Sequence, residues 1–93
     1  MKNFGKKQKN MPKIFWKNSV LRDIKNIDTK MQNSIRKIVE NEIASNPNKG
    51  KPLKGFFNKC YSYRIGNYRI IYTAVHDGIL ILRVGHRKDV YRE

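Results

Sequence analysis

The sequence predicts an α+β domain in which a small antiparallel β-sheet carries an N-terminal helical hairpin on one face, in the order β-α-α-β-β-β. Two observations lead to this class. Between positions 20 and 43, apolar residues recur at helical spacing in two stretches divided by Asp28-Thr29. From position 60 onward, three runs rich in β-branched and aromatic residues are divided by Gly66-Asn67 and His76-Asp77-Gly78. A helical layer and a sheet, each apolar on one side, bury those sides against each other.

The first strand is expected at about 13–17, where Ile14-Phe15-Trp16 follows Pro12. Asn18 or Ser19 is the expected cap of the first helix, because its side-chain oxygen accepts a hydrogen bond from an orphan amide. Val20, Leu21, Ile24 and Ile27 then line one helix face. Asp28-Thr29 supplies a second cap, and Met31, Ile35, Ile38, Val39 and Ile43 form the stripe of the second helix. That helix should end near Asn46, because Pro47 disfavours helical geometry in the residue before it. Residues 47–59, PNKGKPLKGFFNK, form a long loop of the kind that often carries function. Leu53, Phe56 and Phe57 are expected to pin it to the core. Cys60–Ile65, Tyr68–Val75 and Ile79–Gly85 are the expected strands, with Gly66-Asn67 a two-residue hairpin turn.

The chain has 93 residues, enough for one small domain. Its 21 Lys+Arg against 7 Asp+Glu give a net charge of +14, which points to a polyanionic partner. Nucleic acid leads; an anionic membrane surface or an acidic protein is the alternative. One Cys and two His exclude an internal disulfide framework and a four-ligand structural zinc site. A reducing, cytoplasmic compartment is expected. No apolar run approaches the roughly 18 residues of a membrane span, and no apolar segment follows the basic N-terminus as in a signal peptide.

The charge is unevenly placed. Positions 1–17 hold six Lys and no acid, and positions 43–76 hold Lys49, Lys51, Lys54, Lys59, Arg64 and Arg69, again with no acid. Asp23, Asp28, Glu40 and Glu42 lie between these blocks. Residues 1–10, MKNFGKKQKN, lack an apolar period and are read as a disordered basic arm. Residues 11–93 are read as a single domain.

Strand alternation places Ser62 and Arg64 on one face and Tyr61, Tyr63 and Ile65 on the other. It groups Arg69, Ile71, Thr73 and Val75 on the next strand, and Ile79, Ile81, Arg83, Gly85 and Arg87 on the last. Arg64 and Arg69 flank the tight turn and should lie close together. Lys54 and Lys59 approach from the loop, and Arg87 and Tyr91 from beyond the last strand. Cations that hold phosphates beside aromatics that stack bases make a groove for single-stranded RNA. Cleavage by the RNA's own 2′-hydroxyl needs a base, cations for the pentavalent phosphorane and an acid for the leaving oxygen. That chemistry requires no metal. His86 and Tyr91 are both candidates for the base; His76 sits in a turn and is read as a solvated residue.

The segments GKPLKG (50–55) and YSYRIGNYRIIYTAVHDGILILRVGHRKDVY (61–91) resemble the RelE/ParE superfamily of toxins of type II toxin–antitoxin systems, the RelE branch in particular. The likeness lies in the order: a K-x-L-x-G loop, an R-x-G-x-Y-R-x-x-Y hairpin, an apolar strand and a closing G-H-R-x-x-V-Y. It implies a RelE-like fold and a ribosome-dependent endoribonuclease that cuts mRNA in the A site without a metal or small-molecule cofactor. It also implies as partners the ribosome with its 16S rRNA, the mRNA and a cognate antitoxin.

By position, the resemblance gives Arg69 contact with the scissile phosphate, and Arg87 transition-state stabilisation or proton donation. Tyr91 would stack on a base or help deprotonate the 2′-hydroxyl. His86 and Arg64 complete the catalytic candidates, and Lys51, Lys54, Lys59 and Lys88 are the RNA-binding ones. Ser62 departs from relatives that carry a second Lys there, and no C-terminal helix of the kind some members have is expected after Tyr91. The runner-up is the ParE activity, inhibition of DNA gyrase without RNA cleavage; such relatives generally lack the Arg/Tyr cluster at the end of the last strand. A non-catalytic RNA-binding module is the third reading.

Overall fold

The computed structural model describes residues 12–86. Strands β1 (Lys13–Trp16), β2 (Lys51–Pro52), β3 (Cys60–Ile65), β4 (Tyr68–Val75) and β5 (Gly78–His86) form one sheet in the order β1-β5-β4-β3-β2. Helices α1 (Asn18–Ile24) and α2 (Thr29–Ile38) lie on one face, and α2 runs on into a π-helical turn at Val39–Ile43. Val20, Ile27, Ile35, Val39 and Ile43 from the helical side pack on Ile70, Tyr72, Ile79, Ile81 and Val84 of the sheet. The α+β class and the helical hairpin are as the sequence predicts.

The sheet itself is mixed. The β2–β3, β3–β4 and β4–β5 pairs are antiparallel, but β1 runs parallel to β5, from Lys13 opposite Gly78 to Trp16 opposite Ile81. A parallel pair needs a long crossover, and here the helices and three strands intervene. The helical hairpin carries the chain from one edge strand to the other. At Gly78 a β-carbon would lie 1.9 Å from the Lys13 carbonyl oxygen, so the glycine is what allows β1 to approach.

Asp28 caps α2 as expected, its Oδ1 accepting from the Met31 amide at 2.7 Å. The expected Asn18 or Ser19 cap of α1 is corrected. Lys17, still extended at φ −62° and ψ 144°, holds the cap position with no side-chain hydrogen bond. Its amide goes to the Ile81 carbonyl, and its own carbonyl accepts from Val20 and Leu21. The strand thus runs directly into the helix, and Asn18 is already helical.

The 47–59 segment is more ordered than a plain loop. It contains β2 and two 3-10 turns, Pro47–Lys49 and Gly55–Phe57. Buried Tyr72 anchors its first part: the phenol donates to the Pro47 carbonyl at 2.7 Å and accepts from the Gly50 amide at 2.9 Å. Tyr61 stacks on Tyr72 with centroids 5.5 Å apart and donates to Asn48.

Strand β5 departs from simple alternation. Ile71 pairs with Arg83 but Tyr72 pairs with Ile81, so Leu82 is an extra residue on β5. Ile79, Ile81 and Val84 are buried on the helix side, a spacing of two and then three. The expected grouping of Ile79 and Ile81 with Arg83 and Gly85 is therefore wrong: the bulge sends Arg83 and Gly85 to the opposite face. Among the described residues no helix is long and apolar enough to cross a membrane.

Candidate nucleic-acid interface

The face away from the helices is built in rows across the strands. One row runs Arg64–Arg69–Gly85 and the next Lys51–Ser62–Ile71–Arg83. Three arginines and a lysine therefore share one side of β2 to β5, and none of these strands contains an Asp or Glu. The bulge adds Arg83 to this set, since without it Arg83 would point into the apolar core. Bulges commonly re-aim a side chain in this way beside functional sites.

Arg64 is exposed and Arg69 half-buried. The Arg64 Nε donates to the Gly66 carbonyl at 3.3 Å, which keeps its guanidinium at the hairpin end. Gly66 has φ 57°, a value that favours glycine, and so closes the turn that brings the two arginines opposite each other. Ile71 is fully buried yet lies outside the helix-side core, and Ser62 beside it is also buried. The Arg83 guanidinium lies 5.2 Å from the Phe57 ring centroid. Phe57 thus brings the 3-10 turn of the loop to β5, and a cation over an aromatic face is held there.

A family model described as "ParE toxin of type II toxin-antitoxin system, parDE" matches residues 14–91. The chain belongs to this toxin family. The toxin is 32% identical over 84 residues to the RelE3 toxin of Methanocaldococcus jannaschii, covering 85% of this chain and 94% of that one. It is 44% identical over 45 residues to the RelG toxin of Mycobacterium tuberculosis, 46% of this chain and about half the length of that relative, 52%.

Among solved structures, the toxin–antitoxin complex RelBE2 of Mycobacterium tuberculosis superimposes with a TM-score of 0.76 at 26% identity, covering 84% of this chain and 93% of that one. The RelB–RelE antitoxin–toxin complex of Methanococcus jannaschii gives a TM-score of 0.66 at 30% identity, covering 83% and 94%. The protein is a RelE-like toxin of a type II toxin–antitoxin system.

Within the toxin, the structure brings together Arg64, Arg69 and Lys51 of the sequence-predicted residues and adds Arg83. Arg83 was visible in the sequence as a strand residue, but its company could not be read without the bulge. Lys54 and Lys59 are exposed on the loop that carries Phe57. Lys59 has φ 70°, and its carbonyl accepts from the Thr73 hydroxyl at 2.8 Å, which fixes the loop's return to β3. His86 is placed differently. It pairs with Tyr68 in the row Ile65–Tyr68–His86, and the two rings meet edge to face with centroids 6.0 Å apart. Tyr68 packs against the helix-side core, so the structure does not bring His86 into the arginine rows. Arg87, Lys88 and Tyr91, like the arm at 1–10, lie outside the described residues.

Proposed function

We propose that this toxin is a ribosome-dependent endoribonuclease that cuts mRNA in the A site. The observation that carries the reading is the direct opposition of Arg64 and Arg69, with Arg83 diagonal to Arg69 across β4 and β5. Like charges placed opposite each other destabilise a sheet, and an anion between them reverses the sign. The scissile phosphate is such an anion.

In the proposed reaction a base takes the proton of the 2′-hydroxyl, and the oxygen attacks the adjacent phosphorus. The P–O5′ bond breaks, leaving a 2′,3′-cyclic phosphate and a protonated 5′-hydroxyl. Arg69, Arg64 and Arg83 offset the charge that grows on the phosphorane oxygens. Arg87 serves as a further cation or as the acid, and Tyr91 as base or stacking platform; His86, turned toward Tyr68 on the helix side, is not assigned a role in the reaction. Lys51, Lys54, Lys59 and Lys88 hold the flanking backbone. The ribosome and mRNA are the partners in action. A cognate antitoxin is the partner at rest, as the complexes of the RelB–RelE and RelBE2 relatives support.

The test is a translating extract supplied with wild-type protein, Arg69→Ala and Arg87→Ala. Wild type should cut mRNA at ribosome-occupied codons and both variants should lose most of that cleavage. The matched family model is described for ParE toxins, so the second reading is gyrase inhibition. Intact mRNA together with loss of gyrase supercoiling activity would establish it in place of the first.

A further inference from the structure

Four of the five described glycines are explained by the fold. Gly55 and Gly66 have φ 68° and 57°. A β-carbon on Gly50 would lie 2.6 Å from the Tyr72 hydroxyl, and one on Gly78 would collide with Lys13 backbone. Gly85 is different. Its φ is not in the left-handed region, and a β-carbon there would meet nothing within 4 Å among the described residues. Glycine inside a strand weakens it and marks places where a ligand or another backbone comes close. Here no described backbone does.

Gly85 is also the third member of the Arg64–Arg69 row. We infer that the space over Gly85 seats one nucleobase of the bound strand, lying flat on the bare backbone while its phosphate rests on Arg64 and Arg69. A flat π surface suits a patch over which no described side chain lies, as aromatic rings cover bare glycines in sheets. An added β-carbon meets no described atom within 4 Å, so a side chain at this position would project into the seat. This inference rests on the ribonuclease reading for its biological setting, but the seat itself is tested by binding.

The wild-type protein, labelled with ¹⁵N, is titrated with the dinucleotide ApG and separately with ribose 5-phosphate. ApG should shift both the Gly85 amide and the Arg64 and Arg69 Nε signals, and ribose 5-phosphate the arginine signals alone. A Gly85 amide that stays still with ApG, or moves equally with both, overturns the seat. In parallel, Gly85→Leu should melt at the wild-type temperature or higher and cut mRNA on ribosomes about tenfold or more slowly, with Gly85→Ala in between. A lowered melting temperature would mean that the chain's own residues fill the space, and wild-type cleavage that nothing needs it; either result overturns the inference. Failure of the wild type to cut mRNA counts against the ribonuclease reading, and the ApG titration then still decides the seat.

Discussion

Arg64 on β3 and Arg69 on β4 are direct cross-strand partners, two cations facing each other one pair back from the two-residue Gly66-Asn67 turn. Folding alone disfavours this pairing. Arg69→Gln should therefore raise stability by about 0.2–1 kcal/mol, more at low salt, where repulsion is less screened, and Arg64→Gln should raise it by less, since it also loses the hydrogen bond to the Gly66 carbonyl. The same variants should cut mRNA far more slowly. Urea unfolding at two salt concentrations reads the first effect, and the extract assay the second. Stability that falls in both variants would show that the pair is satisfied within the chain, and the row would no longer point to a phosphate.

Ribosome binding should weaken steeply with salt, because each phosphate contact releases condensed counterions. Arg83→Gln removes one cation from the row that also holds Lys51. It should make the log–log salt slope shallower by about one, whatever the mRNA sequence. Affinity measured across a salt series checks this. A flat response in the wild type would argue against a phosphate-binding face.

The two helix starts predict opposite outcomes for similar substitutions. Asp28→Ala removes the hydrogen bond to the Met31 amide and should cost about 1 kcal/mol, with Asp28→Asn keeping most of it. Asn18→Ala should stay within about 0.5 kcal/mol of wild type, because α1 has no side-chain cap to lose. Thermal or urea melts of the three variants separate the cases.

These particulars show why some features were legible and others not. The apolar spacing around Ile35 and Val39, the Asp28 cap and the Gly66-Asn67 turn are local signals, and each led to the right element. The parallel pairing of β1 with β5 joins residues more than sixty positions apart, and no local pattern in KIFW specifies the direction of its partner. The run ILILRV is apolar at almost every place, so period-two alternation could not reveal that Leu82 is an extra residue. The β5 part of the basic face turns on that residue. It adds Arg83 to Arg69, and it sends His86 to Tyr68 and away from the arginines. Arg64 and Arg69 were legible because their turn fixes their register.

Tyr72 ties the loop to the sheet, and its chemistry gives a prediction at high pH. Burial raises its phenol above the ordinary value, with the Gly50 amide hydrogen bond acting against that. The unfolded chain therefore releases this proton first. Above about pH 10, the ordinary tyrosine range, the folded state holds more protons than the unfolded one, so stability falls as pH rises. Cys60, raised by burial, and Lys49, raised by its hydrogen bond and ion pair with Glu42, act in the same direction. Tyr72→Phe should lower stability at pH 7 by about 1–3 kcal/mol, since the Gly50 amide and Pro47 carbonyl lose their partner. It should also flatten the alkaline decline without abolishing it. Gly50→Ala should destabilise as well, because its β-carbon would press on the Tyr72 hydroxyl at 2.6 Å. Urea midpoints from pH 7 to 11 check all three. An alkaline decline of equal steepness in Tyr72→Phe would show that Tyr72 is not the group that titrates with unfolding.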